Sequence, residues 1–476
     1  MNMSIDQNEI AVSLQSVLDA QKSAYLQSPA PTYQERSDKL KRLKTALIDH
    51  QSKLVDALNQ DYGHRPELDS MIGDILPCVM NISYTLKRLK KWMKPQRRSA
   101  GLLLSPATVR VEYQPLGVVG IMVPWNFPIM LSIGPLITAI AAGNRAMIKF
   151  SEFTPHTNAA LITMLNEVFS QDEVASIEGE ADVAAKFSAL AFDHLMFTGS
   201  TAVGRHVMRA AADNLTPVTL ELGGKSPVIV APDMPIATAV ERLIYGKCLN
   251  AGQICVAPDY VLCPKDKIAD FIAQYQRQFQ KMYGSSNDRA DYANIVNESQ
   301  HARLMSWLDD AKEKGATIVS ANEQPIDRAS RNLATQLVTG ANDDMLLMQQ
   351  EIFGPILPIL PYDELEQAIS YINERPRPLA LYIMSLDKPT QTRILQHTHS
   401  GGVCINDVVF HVAAEDAPFG GVGASGMGHY HGKEGFLTFS KAKTVLARGG
   451  SLNTGKLVHP PYGNFIQRML LKVFLR

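Results

Sequence analysis

The chain has 476 residues, 46% hydrophobic and 20% charged, with a formal net charge of -1. That length predicts roughly two or three domains and a large buried core, and the near-neutral balance excludes a global attraction to nucleic acid or an anionic membrane. Its five cysteines, Cys78, Cys248, Cys255, Cys263 and Cys404, are odd in number, scattered and without a CxxC pair, which argues against a disulfide framework or a zinc site and for a reducing compartment.

The polar, acidic N-terminus lacks the basic start and apolar core of a signal peptide, so a cytoplasmic location is expected. Residues 34 to 60 place Leu40, Leu43, Leu47, Leu54 and Leu58 at helical spacing, predicting an amphipathic helix. Residues 66 to 94 read as further helix ending in a basic run from Lys87 to Arg98, taken as a solvated face. The alternation over 106 to 114 predicts an exposed strand, and the apolar run 117 to 123 a strand buried on both faces.

From there strand and helix alternate. Helices are expected at 130 to 142, 154 to 169 and up to 212, with strands at 145 to 150, 174 to 177 and 194 to 197. This predicts a doubly wound α/β domain whose ligands sit at the carboxyl ends of the strands. The second half repeats the pattern, with strands at 226 to 230, 260 to 262, 316 to 319, 356 to 360, 380 to 385 and 402 to 405 and helices between them. Residues 286 to 294 and 321 to 332 read as surface loops. No run reaches the ~18 to 20 apolar residues of a membrane span; the most apolar stretch, 116 to 143, is broken by Pro124, Asn126, Pro128, Gly134 and Pro135.

Two stretches carry chemistry. In Gly246 to Pro258, Cys255 follows Asn250, Gly252 and Gln253 on a polar turn, and Glu221-Leu-Gly-Gly224 precedes it. A thiol with a pKa of about 8.5 needs help to ionise, and a carboxylate supplies a base; the alternative for Cys255 is a buried small hydrophobe. In Thr198 to Gly204, a glycine-flanked turn between strand and helix offers backbone N–H groups to a phosphate, although the spacing is not GxGxxG. His411, His429 and His431 lack a completing ligand set, so no metal is expected.

Six motifs occur in order: Pro-Trp-Asn-Phe-Pro (124 to 128), Thr-Gly-Ser-Thr-Ala-Val-Gly (198 to 204), Leu-Glu-Leu-Gly-Gly-Lys-Ser (220 to 226), Gly-Gln-Ile-Cys (252 to 255), Glu-Ile-Phe-Gly-Pro (351 to 355) and Pro-Phe-Gly-Gly-Val-Gly-Ala-Ser-Gly-Met-Gly (418 to 428). Together they resemble the NAD(P)-dependent aldehyde dehydrogenase superfamily; Leu-Thr-Pro-Val-Thr-Leu-Glu (215 to 221), Cys-Val-Ala-Pro-Asp-Tyr (255 to 260) and Gly-Met-Gly-His-Tyr-His-Gly (426 to 432) resemble its class 3 branch, and Phe187 to Leu195 that branch's bacterial coniferyl-type members. The resemblance implies an α/β fold with a doubly wound cofactor domain (1–105 and 116–222), an α/β catalytic domain (223–430) and a small β arm with tail (106–115 and 431–476) that supports a homodimer.

It also implies roles. Cys255 would be the nucleophile, Asn126 the oxyanion donor and Glu221 the general base. Gly199, Ser200 and Gly204 would meet the pyrophosphate, Lys149 and Glu152 the adenosine ribose, and Glu351 and Phe353 the nicotinamide ribose. The implied cofactor is NAD, with NADP as the second nucleotide; the substrate is an aromatic aldehyde, the alternative a medium or long fatty aldehyde. Phe150 departs from the family's Lys-Pro-Ser-Glu and leaves the placement of Lys149 and Glu152 open. The C-terminal dozen residues, interrupted by Arg468 and Lys472, predict an amphipathic cap with weak peripheral membrane contact. Readings of another class are a cofactor-independent esterase on the same cysteine, or a non-catalytic binding protein.

Overall fold

The structure is a computed structural model that describes residues 7–101, 104–286, 289–450, 455–456 and 459–475, with side chains from residue 11 onward. Its first large sheet runs, in spatial order, Gly426–Met427, Val218–Leu222, His194–Gly199, Val118–Met122, Arg145–Lys149, Val174–Ile177. All neighbours are parallel except the Gly426–Met427 pair. Val118–Met122 is buried throughout because helices cover both faces of a parallel sheet, which is why it reads as an unbroken apolar run. The chain starts at this strand, winds outward, then crosses to its other side at His194–Gly199. The order reversal opens a crevice beyond the carboxyl ends of these two strands, so the segments 123–126 and 198–200 flank it.

The second sheet has seven strands, in the order Thr317–Ser320, Gln336–Thr339, Ile356–Tyr362, Tyr260–Pro264, Pro227–Val230, Ala380–Met384, Gly402–Ile405. Its first pair is antiparallel and the rest parallel. A third, antiparallel sheet joins Gln96–Arg98, Thr108–Pro115 and Ser440–Ala447. Two segments cross the expected boundaries: Gln96–Arg98 belongs to the small sheet, and Gly426–Met427 borders the first sheet beside Glu221.

Several expectations change. The helix expected over 34 to 60 is two, Tyr33–Asp49 and Gln51–Tyr62, divided at His50. The helix expected over 66 to 94 contains a wider, π-type turn at Met71–Ile75 that turns Asp74 inward. Residues 289 to 294 are irregular but not superficial, because Tyr292 is buried against Phe279 and Tyr283. The helix Gln7–Gln27 and the strand Val218–Leu222 were not anticipated. The strand was hidden because a glutamate occupies a fully buried position in it.

The C-terminal helix Phe465–Phe474 is capped by Asn464 and Gln467 and leaves Phe465, Met469, Leu471 and Val473 exposed. Among the described residues no helix is long and apolar enough to cross a membrane.

Candidate functional site

A cleft of about 1450 Å³ is lined by residues at the carboxyl ends of both large sheets, and every expected site residue except Gly204 borders it. Gly204 lies behind the wall. A Cβ there would come within 2.6 Å of Leu222, so glycine lets the helix Thr201–Ala212 lie against its strand.

Cys255 is presented by an unusual turn. The helix Ile236–Cys248 ends, and Asn250, Ala251 and Gly252 follow with φ of 49°, 52° and 73°. Two non-glycine residues in this region cost on the order of 1 kcal/mol or more each, so surrounding bonds must hold them. Gln253 does much of this. Its Nε2 donates to the carbonyls of Asn250 (2.9 Å) and Asn294 (3.1 Å), and its Oε1 accepts from the Val296 N–H (3.0 Å). At Gly252 a Cβ would lie 2.6 Å from the Gly354 carbonyl.

Asn126 is tied to the same turn. Its Nδ2 donates to the Gln253 carbonyl at 3.1 Å, which leaves its second amide hydrogen for a ligand. The Asn126 carbonyl accepts from Tyr62 Oη (3.1 Å), Arg65 Nη1 (3.0 Å) and Asn250 Nδ2 (3.2 Å). Arg65 is paired with Asp74 at 2.8 Å, and Asp74 Oδ1 accepts from the Ile129 and Met130 N–H groups that open the helix Met130–Ala142. This fully buried ion pair costs desolvation, and its return is the fixed placement of the Asn126 loop.

Glu221 is buried, and neither carboxylate oxygen has a hydrogen-bond partner. Burial raises its pKa well above the usual 4.5. Burial also pushes the half-buried Cys255 thiol up to about 12, with the charges of Glu351 and Glu221 adding to the effect. The resting site therefore holds a neutral thiol close to a carboxyl that also resists ionisation. Ionising either makes ionising the other harder.

At the other end Lys149 and Ser200 are partnered. Lys149 Nζ donates to the Phe150 carbonyl at 2.6 Å and lies 4.0 Å from Glu152; burial lowers its pKa, with Glu152 opposing. The Phe150 N–H donates to the Ile177 carbonyl at 3.0 Å, a bond proline cannot make, so the departure from the usual motif lengthens the strand pairing under Lys149. Ser200 caps the helix Thr201–Ala212 by accepting from the Val203 N–H, and the helix's positive end faces the cleft. Thr198 Oγ1 and Glu351 Oε1, by contrast, are buried without partners. A dinucleotide fits this lining: a helix start for phosphate, a lysine–glutamate pair for a ribose and orphaned oxygens for further hydroxyls.

Three residues not singled out from the sequence hold the segment carrying Glu351 and Phe353. Asp259 Oδ2 accepts from the Ile352 N–H (2.8 Å), and Lys225 joins Asp259 to the carbonyls of Leu347 (2.7 Å) and Gln350 (3.1 Å). Arg303 Nη2 donates to the Ile352 carbonyl at 2.9 Å. Lys225 and Asp259 each lie inside a quoted motif, which was a usable signal; Arg303 sits in a helix and offered none. Glu351 packs where a Cβ at Gly223 would collide with it, and burial raises it to about 8. Phe353, at φ 46°, meets Trp125 edge-on at 5.1 Å.

The three histidines do not converge. His411 Nδ1 is 3.2 Å from Cys404 Sγ, His429 Nδ1 is 3.0 Å from the Phe419 carbonyl, and His431 Nδ1 is 3.6 Å from Glu415. Among the described residues no three or more His, Cys, Asp or Glu are gathered to hold a metal.

The aldehyde dehydrogenase family model matches residues 7–445. A "Probable coniferyl aldehyde dehydrogenase" of Pseudomonas aeruginosa is 52% identical over 463 residues, covering 97% of this chain and 96% of that protein. The "Coniferyl aldehyde dehydrogenase" of Pseudomonas sp. strain HR199 is 44% identical with the same coverage. Among solved structures, the substrate-bound state of Staphylococcus aureus AldH superposes with a TM-score of 0.92 at 37% identity, covering 97% of this chain and 99% of that one. A Mycobacterium tuberculosis aldehyde dehydrogenase complexed with NAD+ superposes with a TM-score of 0.83 at 28% identity, covering 93% and 92%. With a cysteine, an amide and a carboxyl at one end of a dinucleotide-shaped cleft and a match over nearly its whole length, the chain belongs to the aldehyde dehydrogenase family.

Proposed function

We propose that the protein oxidises aromatic aldehydes of the coniferyl type to their acids, with Cys255, Asn126 and Glu221 as the reacting set. What carries this reading is their convergence, within one cleft, with Lys149, Glu152 and Ser200. The Glu221 carboxylate takes the thiol proton and passes it to solvent as Cys255 Sγ attacks the aldehyde carbon, and the oxygen that becomes an oxyanion is met by the free Asn126 amide hydrogen and the Cys255 N–H. Glu221 takes a proton from the water that hydrolyses the resulting thioester; a base with a raised pKa suits that task near neutrality. NAD(P), when bound, supplies the hydride acceptor. Glu221 also weighs against coenzyme A as acyl acceptor, which needs no such base.

The domain division given by the motifs is proposed with the boundary crossings noted above. The exposed edge strand Ser440–Ala447 supports a homodimer joined through the small sheet, because an unpaired edge of that length invites pairing. The apolar face of Phe465–Phe474 supports an interfacial contact for the tail in a cytoplasmic protein. Deleting 464–476 and measuring sedimentation and kinetics tests the tail.

The function is tested by following nicotinamide reduction with NAD or NADP against coniferyl aldehyde, benzaldehyde and decanal, with Cys255→Ala alongside. Reduction by the intact protein alone, fastest with an aryl aldehyde, is expected. A preference for decanal would move the substrate to the fatty class, and ester cleavage without nucleotide would favour the esterase reading.

A further inference from the structure

Tyr382 is fully buried in the middle of the strand Ala380–Met384, level with Val228 and Cys404 on the two neighbouring strands. Its hydroxyl links two distant parts of the chain. It donates to the carbonyl of Val256, the residue after Cys255, and accepts from the Val409 N–H at 3.3 Å. A phenol has one hydrogen to give, and here it goes to Val256.

Both partners lie on unusual backbone. Val256 follows the turn in which Asn250, Ala251 and Gly252 have positive φ, and Val409 itself has a φ of 55°. A β-branched residue in that region is an outlier that persists only where its surroundings over-determine it. Asn406, at φ 58°, opens the same segment and is locked to Ser385, just past the Tyr382 strand. Its Nδ2 donates to the Ser385 carbonyl (2.7 Å) and its Oδ1 accepts from the Ser385 N–H (2.9 Å). At Gly246 a Cβ would fall 2.4 Å from Val408 and 3.1 Å from Val409, so the helix that leads to the Cys255 turn rests on this segment too. The strained stretch 406–409 is thus clamped against the turn that presents the thiol, and Tyr382 is the polar link between them.

The orientation of Val256 matters to the thiol. The Val256 and Cys255 N–H groups both bond the sulfur in its ionised form, opposing the burial and the charges of Glu351 and Glu221 that resist ionisation. We propose that Tyr382 is a positioning residue for the nucleophile: by holding the Val256 carbonyl, its hydroxyl keeps the Val256 N–H aimed at Cys255 Sγ. Removing the hydroxyl takes this donor from the carbonyl of a residue that is only 2% exposed, and the peptide is then free to turn away from the sulfur. The inference rests on Cys255 as the reacting thiol and names a residue that readies it.

The test compares the rate and pH profile of Cys255 alkylation by iodoacetamide, without aldehyde or nucleotide, in the intact enzyme and Tyr382→Phe, with kcat and KM measured beside them and peptide mapping to assign the label. Tyr382→Phe is expected to slow alkylation at pH 8 about tenfold, to move the profile up by about one pH unit and to lower kcat about tenfold, with nucleotide KM within about twofold. Glu221 and Glu351 face the thiol in both proteins, so the displaced profile reports the Val256 amide. A lowered melting temperature with an unmoved alkylation profile makes Tyr382 a packing residue only and overturns the proposal, as does an unchanged kcat. Where Tyr382→Phe does not fold, Val409→Gly carries the test, because glycine takes a φ of 55° freely and loosens the N–H that Tyr382 accepts. It is expected to slow alkylation about threefold, and an unchanged rate overturns the proposal. An intact enzyme that still oxidises aldehyde after complete alkylation of Cys255 overturns Cys255 as the nucleophile. Complete loss of activity on alkylation, with Tyr382→Phe alkylated like the intact enzyme, overturns this inference alone.

Discussion

The two ends of the cleft are built on opposite electrostatic terms. At the nucleotide end Lys149 bonds the Phe150 carbonyl and faces Glu152, and Ser200 caps its helix. At the reacting end Glu221 has no partner on either oxygen, Glu351 Oε1 has none, and the Cys255 thiol is pushed up to about 12 by burial and by both carboxyls. The contrast separates binding from chemistry. A site that holds a ligand does best with its charges already oriented, whereas one that moves protons benefits from a carboxyl raised toward neutrality, as burial does to Glu221 and Glu351. The strained turn at Asn250 and Ala251 belongs to the same end, held by Gln253 and the Arg65–Asp74 frame.

The largest effect should come from Cys255→Ala, a loss of kcat on the order of 10^6-fold, because it removes the proposed nucleophile. Loss of aldehyde-dependent nicotinamide reduction measures it, and substantial residual turnover would break the division between the ends.

Glu221→Gln should cost about 10^2- to 10^4-fold in kcat while raising the melting temperature. The sign follows from its raised pKa. The folded chain prefers the protonated carboxyl, so the penalty is absent below the usual 4.5, grows as pH rises through that range, and is complete only above the raised folded value. The stabilisation by Gln should therefore be larger at pH 8 than at pH 5. Thermal melts at the two values check this, and a loss of stability at pH 8 would show that Glu221 is partnered after all.

Asn126→Ala should remove about 10^2- to 10^3-fold in kcat with little change in nucleotide KM. A change confined to stability would instead make Asn126 only a member of the turn. The smallest effect belongs to the partnered end: Lys149→Met should raise nucleotide KM by about tenfold and leave kcat nearly unchanged, since the contact is the same in ground and transition states. A large fall in kcat would erase the contrast.

Much of the candidate site was legible because its motifs are local. Asn126 lies between prolines, Cys255 follows a turn of small and polar residues, and Ser200 sits at a strand-to-helix junction. Other parts depend on distant partners. Glu221 was named, but the strand that buries it was not anticipated, and Asp74 turns inward only through the π-type turn at Met71–Ile75. Arg303 and Asp259 are joined through the backbone of Ile352, and nothing in the helix around Arg303 announces that.

By itself the sequence determined the alternation of strands and helices and the small-residue turns, which follow from spacing along the chain, and its motifs named the proposed reacting groups through their resemblance to a family. Only the tertiary structure decided which of those groups stay unpartnered. Burial and the approach of distant side chains set the ionisation of Cys255, Glu221 and Glu351, and both depend on how two sheets meet across one cleft.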